Sequence, residues 1–109
     1  MSALSPRENK ILAGLHPHTR RHAIALLARY PSLHVSSGKR TARRNKEVGG
    51  AIRSFHLSGR AVDFIGTRED LSFAYRMALR MRVGVGCTGP EEAFLEDLGE
   101  PNQHLHVAW

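Results

Sequence analysis

The sequence predicts an α+β fold, a small sheet partly covered by helices. Three observations carry this. Stretches with helix-start chemistry and helical apolar spacing fall at 5–29 and 69–81. Short runs that alternate or are rich in β-branched residues fall between and after them, at 33–37, 60–65 and 103–109. The chain of 109 residues is 41% apolar and 24% charged, which suits one globular domain and not a disordered segment.

Taken in order, Ser5-Pro6-Arg7-Glu8 reads as a helix start, with Ser at the N-cap, Pro at N1 and Glu at N3. Ile11, Leu12 and Leu15 supply its apolar stripe, and Gly14 lies near its stop. A second helix is expected from Pro17 to Arg29, with Ala23, Ile24, Leu26 and Leu27 inward and Pro31 beyond its end. Leu33 to Ser37 reads as a short strand, and Thr41 to Lys46 as a short helix closed by Gly49-Gly50. Ser54 to Gly59 reads as an irregular loop, and Arg60 to Ile65 as a strand with Val62 and Phe64 toward the core. Glu69-Asp70 opens a helix through Met81 that uses Leu71, Ala74, Tyr75, Ala78 and Leu79. Val83 to Gly89 is expected to be a short strand and turn, and Pro90-Glu91-Glu92 the start of a last short helix. Gln103 to Trp109 alternates like a final strand.

Composition narrows the partners. The single Cys87 excludes an internal disulfide, so a chain this small needs support from a metal or a partner. No apolar run approaches the ~20 residues that span a bilayer. The formal charge is +6 and is unevenly spread: residues 1–60 hold 12 Lys and Arg against 2 acids, and residues 61–109 hold 4 against 8. A basic half of this kind suits a polyanion, either nucleic acid or an anionic cell envelope, or is simply a solvated face. No aromatics interleave the basic residues, which disfavours nucleic acid.

Seven His are present, and most need no ligand role. His16, His18 and His22 read as surface or capping residues, and His34 as an ordinary strand residue. His56, Asp63, His104 and His106 differ. His56 and Asp63 are seven apart, about 10.5 Å of rise on one helix and too far for one ion. A loop followed by a strand, with Gly59 permitting the bend, brings both side chains to one point. His104 and His106 point to the same face of a strand, with Leu105 opposite. Two His and one carboxylate make a catalytic zinc site with one open position. Asp63 sits mid-strand beside Val62 and Phe64, where a carboxylate is costly unless paired with a cation or metal. A pairing of Asp63 with Arg60 is the plainer alternative, and the spacing leaves both open. Elsewhere, Gly84-Val85-Gly86 lacks the residues of a phosphate loop, and Cys87 lacks a flanking cation to activate it. Trp109 and Phe94 read as core.

Ser36-Ser37-Gly38-Lys39-Arg40-Thr41, Asn45, Val48-Gly49-Gly50-Ala51, Ser54-x-His56-x-x-Gly59-Arg60-Ala61-x-Asp63 and His104-x-His106, in that order, resemble the M15 metallopeptidases. That family includes zinc D-Ala-D-Ala carboxypeptidases, the dipeptidases of glycopeptide resistance and phage endolysins that cut L-Ala-D-Glu bonds. The motif-bearing core is 33–109; residues 1–30 match no family motif and are expected to be a helical part of the same domain, 1–109. The resemblance implies a Hedgehog/DD-peptidase-like fold with a small antiparallel sheet and packing helices. It implies one Zn2+ per chain held by His56, Asp63 and His106, with His104 bonding substrate or the developing oxyanion. Arg40 matches an Arg that steadies the substrate or transition-state charge, and Ser54 a serine that contacts substrate. The implied reaction is hydrolysis of an amide in the peptidoglycan stem peptide, of D-Ala-D-Ala or L-Ala-D-Glu type.

Two positions depart from the family pattern. Lys39 stands where an aromatic is usual, which alters substrate contact. Gln103 stands three residues before His106, where many members have an acidic general base. An amide cannot accept a proton from water, so Gln103 is left to contact substrate. Glu100 or Asp97, swinging in from the preceding loop, or His104 itself, are then the candidate bases. The alternative reading is a catalytically weak or inactive zinc-stabilised module that binds the wall or serves in a virion. MSALSPRENK has no basic n-region followed by an apolar h-region. The expectation is therefore cytoplasmic synthesis without a signal peptide and action at the anionic cell wall or periplasm, as in a phage-encoded or virion-associated enzyme.

Overall fold

The structure is a computed structural model that describes residues 4–50, 54–81 and 89–109. Helix α1 spans Pro6–Ala13. Ser5 Oγ accepts from Glu8 N (3.1 Å) and Glu8 Oε2 accepts from Ser5 N (3.0 Å), the reciprocal cap its residues dictate. The other Glu8 oxygen bonds Val35 N (3.1 Å) and His34 Nδ1 (2.9 Å), which ties α1 to strand β1, His34–Ser37. Helix α2, Pro17–Arg29, buries Thr19, Ala23, Leu26 and Leu27, a stripe at i, i+4, i+7 and i+8. Ile24, expected inward, is rotated off that stripe and half exposed.

Helix α3, Ala42–Glu47, is capped by Thr41. Residues 54–59, expected as an irregular loop, form a 3₁₀ turn over Phe55–Ser58, capped by Ser54 and ended by Gly59. Strand β2 is Ala61–Ile65 and helix α4 is Arg68–Ala78, with Glu69 and Asp70 in its positive first turn. The helix expected to reach Met81 stops at Ala78. Beyond it, the amides of Arg80 and Met81 reach back three residues, to Met77 and Ala78, and Leu79 is half exposed. Strand β4 is His104–Ala108.

The helix expected at Pro90-Glu91-Glu92 does not form. Residues Glu92–Glu96 are strand β3, paired along their whole length with β4. Local helix-start chemistry loses here to a ladder that satisfies the backbone and packs Ala93 and Leu95 against the core. The strand and turn expected at 83–89 fall, except for Gly89, outside the described residues, as does Cys87.

The four strands run antiparallel in the order β1-β2-β4-β3. Alternation divides the sheet's faces. Val62, Phe64, Leu105 and Val107 are buried on one face in a core shared with Leu12 and Leu15 near α1, Leu26 and Leu27 of α2, and Leu71 and Ala74 of α4. The opposite face presents Asp63 of β2, His104 and His106 of β4, and Glu92, Phe94 and Glu96 of β3. The register places Asp63 opposite His106, and Phe94 opposite His106 on its other side.

Candidate metal centre

His56 reaches this face from the 3₁₀ turn. Gly59, at φ +74°, ends the turn and redirects the chain into β2. Its carbonyl accepts from His16 N (2.9 Å), and a Cβ there would lie 2.9 Å from Gly14 O, so both the left-handed backbone and the close approach require glycine. His56 is 2% exposed. Its Nδ1 lies 2.7 Å from Gly38 O, which can only accept, so Nδ1 carries the proton and Nε2 holds the lone pair. That Nε2 is buried, 3.3 Å from Asp63 Oδ2, without hydrogen-bond geometry to any partner.

Asp63 Oδ1 lies 2.9 Å from His106 Nδ1, and the other ring nitrogen, Nε2, lies 3.0 Å from Glu92 Oε1. Arg40 extends one amine to within 3.4 Å of Asp63 Oδ2 and the other to Asn45 Oδ1 (3.4 Å). Burial opposes ionisation of Asp63, but the hydrogen bond from His106 and the close approach of both imidazoles outweigh it and hold the carboxyl well below its usual range. Burial likewise opposes a charged His106, and the bonds to Asp63 and Glu92 outweigh it, raising its pKa. Arg60, the alternative partner for Asp63, is engaged elsewhere: its Nε donates to Trp109 O (2.7 Å) and its guanidinium faces Glu91 (3.7 Å).

Of the residues expected at a site, the structure brings together His56, Asp63 and His106, with ligand atoms all within 4.8 Å of one another. They lie in an open pocket of about 340 Å³ that Arg40, Ser54 and His104 also line. His104 Nδ1 bonds Asn102 O (2.8 Å), which leaves Nε2 as its available nitrogen, 3.8 Å from Glu96 Oε2. Glu100 and Gln103 are not brought there. Glu100 is exposed in the β3–β4 connection. Gln103 lies one residue out of phase with His104 and His106, and its amide closes that connection, donating to Gly66 O (2.9 Å) and accepting from Gly99 N (2.9 Å). Asp97, at φ +55°, likewise turns in this connection and bonds Asn102.

Glu92, Phe94 and Glu96 line the pocket and escaped the sequence reading. Phe94, read as core, is half exposed and stacks on the His106 ring at 5.5 Å between centroids. The period-2 placement of these three residues was the signal, masked by the helix-start chemistry of Pro90-Glu91-Glu92.

The donor set fits a divalent transition metal. An unprotonated, buried imidazole nitrogen facing a carboxylate oxygen is a lone pair against an anion, and a cation between them satisfies both. Two imidazoles and one carboxylate on an open pocket are the protein ligands of hydrolytic zinc centres. The cluster is thus a candidate metal centre, with the donor set of hydrolytic sites, on the exposed face of a small antiparallel sheet.

Comparison with known proteins narrows the class. Residues 15–108 match the family model described as Peptidase M15, and the chain belongs to that peptidase family. The crystal structure of the Serratia marcescens L-Ala D-Glu endopeptidase ChiX shares the fold, with a TM-score of 0.62 at 23% identity over 96% of this chain and 87% of that one. No curated protein matches.

Proposed function

We propose that this chain is a zinc-dependent peptidoglycan peptidase that hydrolyses an amide bond of the stem peptide, of the D-Ala-D-Ala or L-Ala-D-Glu type. The observation that carries the reading is the orphaned His56 Nε2 facing Asp63, with His106 completing a three-donor set in an open pocket. Likeness in fold to an L-Ala D-Glu endopeptidase supports the substrate class.

A zinc ion held by His56, Asp63 and His106 supplies Lewis acidity toward the scissile carbonyl and lowers the pKa of a nucleophilic water. The chain's own residues do the rest. His104 presents Nε2 to the pocket and is the group to accept and return a proton there, since Glu100 and Gln103 lie outside it. Arg40, permanently charged, lines the pocket where negative charge develops on the carbonyl oxygen. Ser54 caps the 3₁₀ turn by accepting from His56 N (3.2 Å) and offers its hydroxyl to substrate. Arg7, Lys39, Arg40 and Arg44 line a neighbouring depression of about 310 Å³, which continues the basic half of the chain to the pocket and suits an anionic wall. Among the described residues no helix is long and apolar enough to cross a membrane.

Purified protein should carry about one zinc per chain. His56→Ala and Asp63→Ala should lose the metal and wall cleavage together, because each removes one of three donors. Protein without zinc, or variants that cut as well as the parent, would contradict the assignment. One observation favours a second reading, a zinc-stabilised module with little activity: the amide of Gln103 stands at the family's acidic position and is committed to Gly66 and Gly99. That reading predicts zinc and wall binding with no release of new amino groups from purified peptidoglycan.

A further inference from the structure

We infer that Glu92 is a positioning residue for the metal ligand His106, holding its ring by Nε2 so that Nδ1 is presented to the metal. This rests on the zinc reading above and extends it to a residue that carries no assigned role.

The two ring nitrogens of His106 face opposite ways. Nδ1 lies 2.9 Å from Asp63 Oδ1, and the second oxygen of the same carboxylate lies 3.3 Å from His56 Nε2, so Nδ1 is the atom turned toward the cluster. Nε2 points out of the cluster and lies 3.0 Å from Glu92 Oε1. Both ring nitrogens face carboxylate oxygens, which only accept; Glu92 keeps the Nε2 proton in place, so the proton displaced when a metal binds is the one on Nδ1, whose lone pair then faces the cluster. His56 is held in the same way with its nitrogens exchanged: Nδ1 is fixed by Gly38 O, and Nε2 faces the cluster. Both rings are thus braced from behind, the arrangement that orients a ligating imidazole and raises its basicity.

The β3 register makes this reach possible. Phe94 is directly opposite His106 and Glu92 is opposite Ala108, so Glu92 is a diagonal neighbour of His106 on one face of the sheet. Phe94 stacks on the same ring with 15° between planes, which restricts its rotation while Glu92 fixes its tautomer.

The test is zinc affinity by chelator competition. Glu92→Ala should weaken binding by about 10- to 100-fold. Glu92→Gln, whose amide oxygen still accepts from Nε2–H, should lose less. Glu91→Ala removes a neighbouring carboxylate that faces Arg60 rather than the cluster, and should leave affinity unchanged. Glu92→Met fills similar space without an acceptor and carries the test if the alanine variant fails to fold. Metal-free melting curves, expected to coincide, separate positioning from a general loss of β3. In zinc-loaded wild type, nitrogen-15 correlation spectra should show His106 with its proton on Nε2, and that signal should be lost in Glu92→Ala. Zinc affinity unchanged in the alanine and methionine variants, or an equal loss in Glu91→Ala, overturns this proposal alone. A wild-type chain that binds no zinc overturns the metal reading, and this proposal with it.

Discussion

At the scale of single residues, the centre depends on where a few polar atoms are sent. His56 is committed at Nδ1 to Gly38 O, and Gly59 then turns the chain so that Asp63 of β2 meets the remaining nitrogen. Gly59→Ala tests this economy of placement. Alanine at φ +74° is strained by about 1–2 kcal/mol, and its Cβ would press on Gly14 O. We expect lowered thermal stability together with weaker zinc binding, since the strain falls between two ligands; a melting temperature equal to the parent's would contradict that placement. Two of the three proposed ligands stand out in the sequence because one breaks a local rule and the other follows a strict one. Asp63 is a carboxylate between core residues, and His104-x-His106 obeys strand alternation. Glu92 was not legible, because Pro-Glu-Glu is good helix-start chemistry and only pairing with β4 decides otherwise.

At the scale of elements, the sheet is what brings distant residues to one face, and the α1–β1 junction braces its outer edge. Glu8 is 5% exposed and serves both, capping α1 through Ser5 and bonding Val35 N and His34. Burial opposes its ionisation, yet the bonds from Ser5, His34 and Val35 outweigh burial and hold its pKa below the ordinary 4.5. A depressed folded-state pKa gives stability that is present above the unfolded value and lost as pH falls through the folded one. Wild type should therefore exceed Glu8→Gln by about 1–3 kcal/mol near neutrality, and the gap should narrow below pH 4.5. Urea unfolding across pH checks this, and a gap independent of pH would contradict it. The capping box was readable from Ser5-Pro6-Arg7-Glu8. Its second use was not, because no local pattern announces a contact between Glu8 and a strand 27 residues away. The early stop of α4 at Ala78 and the outward turn of Ile24 have the same origin: apolar periodicity marks a stripe but not its edges.

At the scale of the whole molecule, the sheet separates two duties. One face closes the core, and the other holds the proposed metal ligands beside a basic depression that begins at Arg40. A chain without a disulfide framework would also gain a cross-link if one ion joined the 3₁₀ turn, β2 and β4, as proposed. The net charge of +6, concentrated in residues 1–60, predicts that added salt weakens binding to intact wall more than it slows cleavage of a small soluble stem peptide. Pull-down and cleavage assays over a salt series check this, and equal sensitivity of both would contradict it. Whether this face is the proposed zinc peptidase centre is tested most directly by digestion of purified peptidoglycan, with mass analysis of the products. Zinc-loaded protein should release peptide fragments with one newly freed amino group per cut. Excess chelator should abolish release, added zinc should restore it, and His56→Ala should release nothing. Fragments that appear equally with chelator and with His56→Ala, or none from the zinc-loaded protein, would contradict the account.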